Sequence, residues 1–454
     1  MREPLPLSFL VRASGWLIAL VVVGLLIAAV QLVPLYEVGQ VNFRAGSASY
    51  EEVRGWAFPW RNAVTLLLPN FYGSPAHHSY RDVFTGQVTP LTLNAAGQPN
   101  PHGPGTSSWG IKNYVEGAAY MGLLPLLLAA LGALALLRWR TLAAARRAHT
   151  LFFVGLALFS VAFIFGTPLY ALLYYGLPFI DQLHTPFRWV FPLALAVAAL
   201  AGFGVDEVLA GWEEAHAKGA RDAKRNNLSL RPLFPLRSLR EPLPQSVILG
   251  WLAVIGGVLV AVALLGSRLA YGWARPWVER LFHGLAQAGD AFPTAEAFYS
   301  YQFWWALLFA GLLVASGGVL LLATRRRGWF VAACALIVVD LYAASVGFNA
   351  AVDPALLDFT PAAVEWLQAQ PGEWRLTTYD PTGAKPLNAN TPWLHSLADV
   401  RGYDSIIPRQ YTEFMAAIEA QNGLAFNRIQ PIGSPAALDS PLLAVLGARY
   451  VPTV

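Results

Sequence analysis

Residues 183 to 207, LHTPFRWVFPLALAVAALAGFGVDE, carry the pattern that decides the fold. His184 and Arg188 precede a long uncharged apolar segment, and Asp206 and Glu207 follow it. An apolar run with charges held at its two ends is typical of a helix that crosses a bilayer. The position of the cations raises the question of which side of the membrane that end faces.

The rest of the chain has the same apolar character. Of its 454 residues, 56% are hydrophobic and 13% are charged, whereas about 25% are charged in ordinary soluble domains. Helices that are apolar on every side need lipid around them. The sequence therefore predicts an α-helical polytopic membrane protein with about seven transmembrane helices. The predicted spans are 15–33, 120–137, 151–166, 189–205, 247–266, 304–323 and 329–348.

Basic residues in the connections indicate the orientation. Clusters of Lys and Arg occupy every second connection, at 138–147, 218–240 and 325–327, which is the positive-inside pattern. We therefore expect a cytoplasmic N-terminus and an extracytoplasmic C-terminus. The first apolar run lacks a small-residue cleavage site and is interpreted as a retained helix. Because topology explains the basic clusters, the net charge of +4 gives no reason to expect a nucleic-acid partner.

The remaining polar segments fall on the predicted outer side. We expect a large outer loop at 34–118 and an amphipathic outer segment at 267–298, both within a transmembrane domain at 1–348. Residues 349–454 read as a small α/β extracytoplasmic domain of capped helices and short strands. Its last strand lies at the very end of the chain, and we expect this domain to be truncated.

Five stretches, in a constant order along the chain, resemble the YfhO family of large bacterial membrane proteins. They are QLVPLYEVGQVNFR, LLLPNFYG, HTPFRWVFPLALAVAALAGFGVDEV, DVRGYDSIIPRQYTEF and LLAVLGARYV. The family is similar to the GT-C glycosyltransferases, which use lipid-phosphate-linked sugars as donors. The resemblance implies a protein of the bacterial plasma membrane that takes part in cell-envelope glycosylation on the outer face, with a polyprenyl-phosphate-linked sugar and membrane lipid as partners and no cofactor.

The resemblance also indicates a missing part. In GT-C proteins the catalytic acid lies in the first outer loop of an N-terminal module, and in the family the QLVPLYE segment comes after several earlier spans. This chain starts just upstream of that segment. We therefore expect a protein partner to supply the missing module and the chain alone to lack sugar-transfer activity. The alternative is that Glu37 or another acid of the predicted outer loop at 34–118 replaces the catalytic acid.

The candidate site residues lie at the predicted outer ends of the first and fourth spans. Arg188, with His184, suits a donor phosphate because a guanidinium forms paired hydrogen bonds to phosphate oxygens. The alternative is that Arg188 reaches the lipid interface or pairs with Asp181. Glu37 could act as a general base toward an acceptor hydroxyl, and Arg44 would contact substrate beside it. An ion pair between Glu37 and Arg44 explains the same residues.

A pocket is predicted between these two outer span ends. Convergence of the helices would leave a groove at head-group depth, open to lipid and to the outer water. Aromatic walls suit a sugar or isoprenoid ligand. The predicted walls are Tyr170, Tyr174, Tyr175 and Phe187.

Asp340 is the candidate polar residue within the membrane. It lies near the middle of the last predicted span, where an ionisable group must face protein or water. A hydrogen-bonded Asp that holds helices together is favoured over a proton relay. No metal site is predicted, because the adjacent His77 and His78 would point to opposite sides of a strand.

Three functional classes remain open. The first is a GT-C-type glycosyltransferase or part of one. The second is a non-catalytic membrane scaffold or partner subunit. A transporter or flippase is disfavoured, because few charges lie within the spans and no inverted repeat is evident.

Overall fold

The computed structural model describes residues 7–43, 48–91, 109, 114–177, 186–226, 244–285, 287–323, 328–349, 353–356, 358–422, 424 and 427–453. The described chain is mostly helical. It divides into two compact units, one formed by Met1–Ser47 with Val352–Val454 and the other by Ala48–Ala351. The sequence-based division places the first helix with the other spans, and that division stays a prediction.

The described helices confirm the membrane character of the chain. Five of them are long and apolar enough to cross a bilayer, and two apolar helices are shorter. The count of seven spans and the orientation stay predictions. The five long segments are Val11–Val41, Ala144–Ile164, Pro186–Gly211, Gln245–Leu269 and Ala295–Ala323, and the shorter ones are Leu123–Arg138 and Trp329–Ser345.

The first helix, α1 (Leu7–Val41), is longer than expected. The predicted outer loop begins at Pro34, but this residue lies inside the helix. A proline removes one hydrogen bond without necessarily ending an apolar helix. The helix ends where Asn42 forms an antiparallel bridge with Pro408 and the Phe43 N–H donates to the Ile407 carbonyl at 2.9 Å. These contacts join the end of α1 to the C-terminal segment of its unit.

The unit Ala48–Ala351 contains eleven described α-helices and one hairpin. The helices are α2 (Tyr50–Gly55), α3 (Tyr114–Gly117), α4 (Leu123–Leu134), α5 (Ala144–Ile164), α6 (Ala171–Gly176), α7 (Val190–Asn226), α8 (Gln245–Leu269), α9 (Tyr271–Gly284), α10 (Ala288–Ala291), α11 (Ala295–Ala323) and α12 (Trp329–Ser345). Strands β1 (Ser79–Arg81) and β2 (Val88–Pro90) form the antiparallel hairpin.

Glycines allow the apolar helices of this unit to approach closely. A Cβ added at Gly132 of α4 would lie 2.1 Å from the Leu200 carbonyl oxygen of α7, and one at Gly204 of α7 would lie 2.0 Å from the Leu128 carbonyl oxygen of α4. Helices α8 and α11 meet in the same way at Gly257. Small residues at such crossings are the usual means of helix packing in membranes.

Ion pairs mark one end of the α4, α5 and α7 bundle. Arg146 at the start of α5 pairs with Asp206 of α7 at 2.6 Å, and Arg138 after α4 pairs with Glu207. Arg146 also donates to the Phe203 carbonyl at 2.7 Å. The basic residues that indicate the inner side thus bind the two acids at the end of the quoted segment.

The segment predicted as an outer loop at 34–118 is largely folded where it is described. Ser49 and Glu52 form a capping box at the start of α2. A 3-10 turn at Trp60–Leu66 and the β1–β2 hairpin follow. Trp109 is 1% exposed and packs edge-on against Phe292 and Tyr301. An aromatic core therefore supports this region.

Where it is described, the C-terminal segment of the other unit contains five short α-helices and one two-stranded sheet, joined by loops. Its helices are α13 (Ala362–Gln368), α14 (Thr391–Leu394), α15 (Arg409–Ile418), α16 (Pro435–Leu438) and α17 (Pro441–Val445). Strand β3 (Arg375–Leu376) pairs in parallel with β4 (Ala448–Tyr450), so the last strand finds its partner upstream. Arg401 and Asp399 form a buried ion pair at 2.7 Å. The side of the membrane on which this segment lies stays a prediction.

Candidate functional site

A cavity lies in the unit Ala48–Ala351. Its volume is about 280 Å³. Three segments form it: the 3-10 turn Trp60–Leu66 with the residues that follow, the segment leading into α4, and the C-terminal end of α12. The lining residues are Asn62, Thr65, Pro69, Tyr72, Gly73, Tyr114, Gly117, Ala118, Ala119, Tyr120, Leu341, Ala344, Ser345 and Phe348.

Hydrogen bonds hold the loop side of the cavity in place. The Thr65 hydroxyl donates to the Asn62 carbonyl at 2.8 Å, and the Tyr114 hydroxyl donates to Asn70 Oδ1 at 3.1 Å. The Gln302 side chain of α11 donates to the Phe71 carbonyl at 2.7 Å. The loop is therefore fastened to a long apolar helix as well as to its own neighbours.

Aromatic rings and hydroxyls dominate the walls. Tyr114 and Phe348 have ring centroids 5.5 Å apart. Burial raises the pKa of Tyr72 and that of Tyr114, so both remain neutral hydroxyl groups near neutral pH. Among the lining residues that the structure describes, none carries a formal charge. The described walls suit a neutral ligand that has both hydroxyl groups and an apolar face.

Two buried carboxamides have unmet hydrogen-bonding capacity. Asn62 is 4% exposed, and its Oδ1 has no hydrogen-bond partner among the described residues. Asn70 is fully buried, and its Nδ2 likewise lacks a partner within the described chain. Such atoms are costly to bury alone. Asn62 nevertheless lines the larger cavity, so its carboxamide is the polar side-chain group that a small reorientation would bring to a bound ligand.

Asp340 lies beneath the cavity and caps a helix. The Leu123 N–H donates to Asp340 Oδ2 at 2.8 Å and the Tyr120 hydroxyl donates to Oδ1 at 2.5 Å. The N-cap of α4 is Gly122, which has no side chain to offer. Asp340 of α12 therefore supplies the oxygen that the free N–H groups at the start of α4 require. Asp340 is thus hydrogen-bonded within the protein, and the choice between a structural role and a proton relay stays a prediction.

A second, narrow cavity adjoins this position. Its volume is about 20 Å³, which is room for about one water molecule. Asn70, Tyr120, Asp340 and Trp305 line it with apolar residues of α11 and α12. It shares Tyr120 with the larger cavity. Asp340 of α12 and the buried Asn70 thus line a small cavity that adjoins the larger one.

The residues proposed from the sequence lie elsewhere or outside the described chain. Glu37 lies within α1, because that helix continues past Pro34, and its side chain is exposed. Arg188 is exposed in the 3-10 turn Pro186–Trp189 and lines neither described cavity. Arg44, Asp181 and His184 lie outside the described residues. The roles of these five residues stay predictions.

The proposed aromatic walls of the groove have structural contacts. Tyr170 is buried against Val53, and Phe187 is buried with its ring centroid 4.6 Å from that of Phe58. The Tyr174 hydroxyl donates to the Ala48 carbonyl at 2.6 Å. Two of the four predicted wall residues are therefore core residues.

Sequence reasoning assigned no role to the lining residues that the structure brings together. LLLPNFYG contains Asn70, Tyr72 and Gly73, which lie in or beside the cavity wall. This stretch was singled out only for its resemblance. The described residues contain no cluster of three or more His, Cys, Asp or Glu side chains suited to a metal ion.

Comparison with known proteins identifies no relative. No family model, no curated protein and no solved structure matches the chain. The resemblance to the YfhO family therefore rests on the five quoted stretches.

Proposed function

We propose that this chain is a YfhO-like, multi-pass membrane protein of cell-envelope glycosylation that binds the sugar of a polyprenyl-phosphate-linked saccharide in the 280 Å³ cavity. The supporting observation is the cavity itself, with tyrosine and phenylalanine walls and a buried, unpartnered Asn62 oxygen. Sugars offer C–H faces to aromatic rings and hydroxyl groups to amides. The volume lies near the lower end of the roughly 300–1,000 Å³ of small-molecule pockets, as suits one sugar ring.

The proposed orientation brings this cavity to the outer face. The Arg138 and Arg146 ion pairs lie where α4 ends and α5 begins, and basic clusters favour the cytoplasmic side. The cavity lies at the opposite end of α4, where Tyr120 leads into the helix. With a cytoplasmic N-terminus and seven crossings of a bacterial plasma membrane, that end is extracytoplasmic, where a lipid-linked sugar would be presented.

The site favours binding over bond cleavage. A glycosyl transfer needs an acid or base in contact with the reacting oxygen. Asp340 contacts the cavity residue Tyr120, and both of its oxygens accept hydrogen bonds from the protein. We therefore propose a partner subunit that holds the sugar while another protein transfers it, and we expect no turnover by the chain alone.

The test is binding of a polyprenyl-phosphate-linked sugar to the full chain in lipid nanodiscs. Asn62→Leu should weaken binding about tenfold, since loss of one hydrogen bond costs about 0.5–1.5 kcal/mol and the branched side chain also narrows the cavity. Because Asn62 Oδ1 has no partner in the described chain, the change should not lower thermal stability.

Arg188→Ala is the matched variant, since Arg188 is exposed and lies outside both cavities. If the cavity holds the sugar, Arg188→Ala should leave the contribution of the sugar ring to the affinity for the polyprenyl-phosphate-linked sugar unchanged. Loss of binding in Arg188→Ala with normal binding in Asn62→Leu would overturn the cavity proposal and favour the groove predicted from the sequence. Measurable sugar transfer by the isolated chain would overturn the non-catalytic role.

A further inference from the structure

Helix α9 has two separate apolar faces. Its inner face contributes Ala274, Val278 and Phe282, of which Phe282 and Val278 pack against the aromatic cluster around Trp109. Its outer face contributes Trp273, Trp277 and Leu281. These side chains are 78%, 63% and 47% exposed. Residues four apart lie on one side of a helix, so the outer side chains form one stripe that no described residue covers.

The stripe continues the exposed surface of the preceding span. Helix α8 ends at Leu269 and α9 begins at Tyr271. The exposed side chains of Val262, Leu265 and Leu269 lead along α8 toward Trp273. Because α8 is long and apolar enough to cross a bilayer, a helix that starts two residues after its end lies at the level where the bilayer meets water.

The composition of α9 suits that level. Tryptophan is enriched at membrane–water interfaces because its ring is apolar and its N–H is polar. Arg280 is exposed at the end of the same stripe, while Arg275 and Glu279 pair at 2.8 Å on a third side of the helix. An apolar stripe with tryptophan and a flanking arginine characterises helices that lie in the interface plane.

We propose that α9 docks its outer face, formed by Trp273, Trp277 and Leu281, into the head-group region of the bilayer that α8 crosses. The partner is the lipid surface itself. The apolar side chains would enter the boundary between head groups and acyl chains by about 5–10 Å. Since the inner face packs against the cluster that contains the cavity residue Tyr72, docking would hold the cavity wall beside the membrane surface.

Site-directed spin labelling tests this proposal on the full chain in liposomes. Cys334 is the only cysteine, so Cys334→Ser provides the background. Trp277→Cys places a label on the outer face, and Leu281→Cys provides a second probe. Gly272→Cys is the control, because Gly272 is exposed with open space around it and lies on the side that carries Glu279. Accessibility to oxygen and to a water-soluble nickel chelate is then measured at each position.

The proposal predicts a severalfold higher oxygen-to-nickel accessibility ratio at positions 277 and 281 than at position 272. High nickel accessibility at all three positions would place the stripe in water and overturn the proposal. Low accessibility to both reagents at 277 and 281 would indicate cover by protein and also overturn it. A dipolar coupling between labels at position 277 of two chains would then identify a second copy as the occupant.

Discussion

Replacing Gly204 with alanine tests the close approach of α4 and α7. A Cβ at this position would lie 2.0 Å from the Leu128 carbonyl oxygen, about 1.4 Å short of the 3.4 Å at which ordinary contacts begin. The obstacle is backbone, so a side-chain rotation cannot relieve it and the helices must separate. Overpacking of this kind costs about 1–3 kcal/mol.

Gly202 of the same helix is the matched control. It is exposed, and a Cβ there would meet nothing within 4 Å. Both substitutions gain up to about 1 kcal/mol of helix propensity, so the difference between them isolates the steric term. Gly202→Ala should keep or raise stability, and Gly204→Ala should be less stable than Gly202→Ala by about 1–3 kcal/mol.

The assay is thermal inactivation in detergent, measured as the fraction of protein that stays monodisperse after heating. Gly132→Ala should have an effect similar to that of Gly204→Ala, because its Cβ would lie 2.1 Å from the Leu200 carbonyl oxygen. The double variant should lose less than the sum of the two, since one separation of the helices relieves both clashes. Equal midpoints for Gly202→Ala and Gly204→Ala would refute the described α4–α7 contact.

Three further predictions concern Asp340, the orientation and His77. Asp340→Asn should lower the free energy of unfolding by about 1 kcal/mol, measured by thermal unfolding. Asp340→Leu should lower it further, by about 1–3 kcal/mol for each donor left unpaired. Loss of function in a well-folded Asp340→Asn variant would indicate a proton relay. A reporter fused after Arg327 should read cytoplasmic and one fused after Ala350 extracytoplasmic, and the same side for both would contradict the seven-span topology. Burial, with a smaller effect of His78, lowers the pKa of His77 to about 4. The neutral His77 therefore contributes its full stability above a pH of about 6.5, and this stability is lost as the pH falls toward 4. Thermal unfolding measured between these pH values should show a loss of stability that His77→Gln removes and His78→Gln retains.

The long apolar helices are predictable because length and charge distribution alone decide whether a segment can span a bilayer. The quoted stretch shows this, since its uncharged part forms part of α7. The predicted loop begins at Pro34, whereas the helix extends to Val41. A proline marks a helix end only where the following residues cannot continue the helix.

The cavity was not predictable in the same way. A buried hydrogen bond was expected for Asp340, but its partners Tyr120 and Leu123 lie more than 200 residues away along the chain. Asn62 gives no sequence signal either, because its importance arises from burial without a partner in the described chain. Contacts between distant segments depend on how the helices pack, which periodicity does not reveal.

A structure of the full chain in a nanodisc with a bound polyprenyl-phosphate-linked sugar analogue tests the central claim most directly. The proposal predicts the sugar ring in the cavity of about 280 Å³, with one hydroxyl group hydrogen-bonded to the Asn62 carboxamide and a ring face against Tyr114 or Phe348. Analogue density at Arg188, with the cavity empty at saturating concentration, would contradict it.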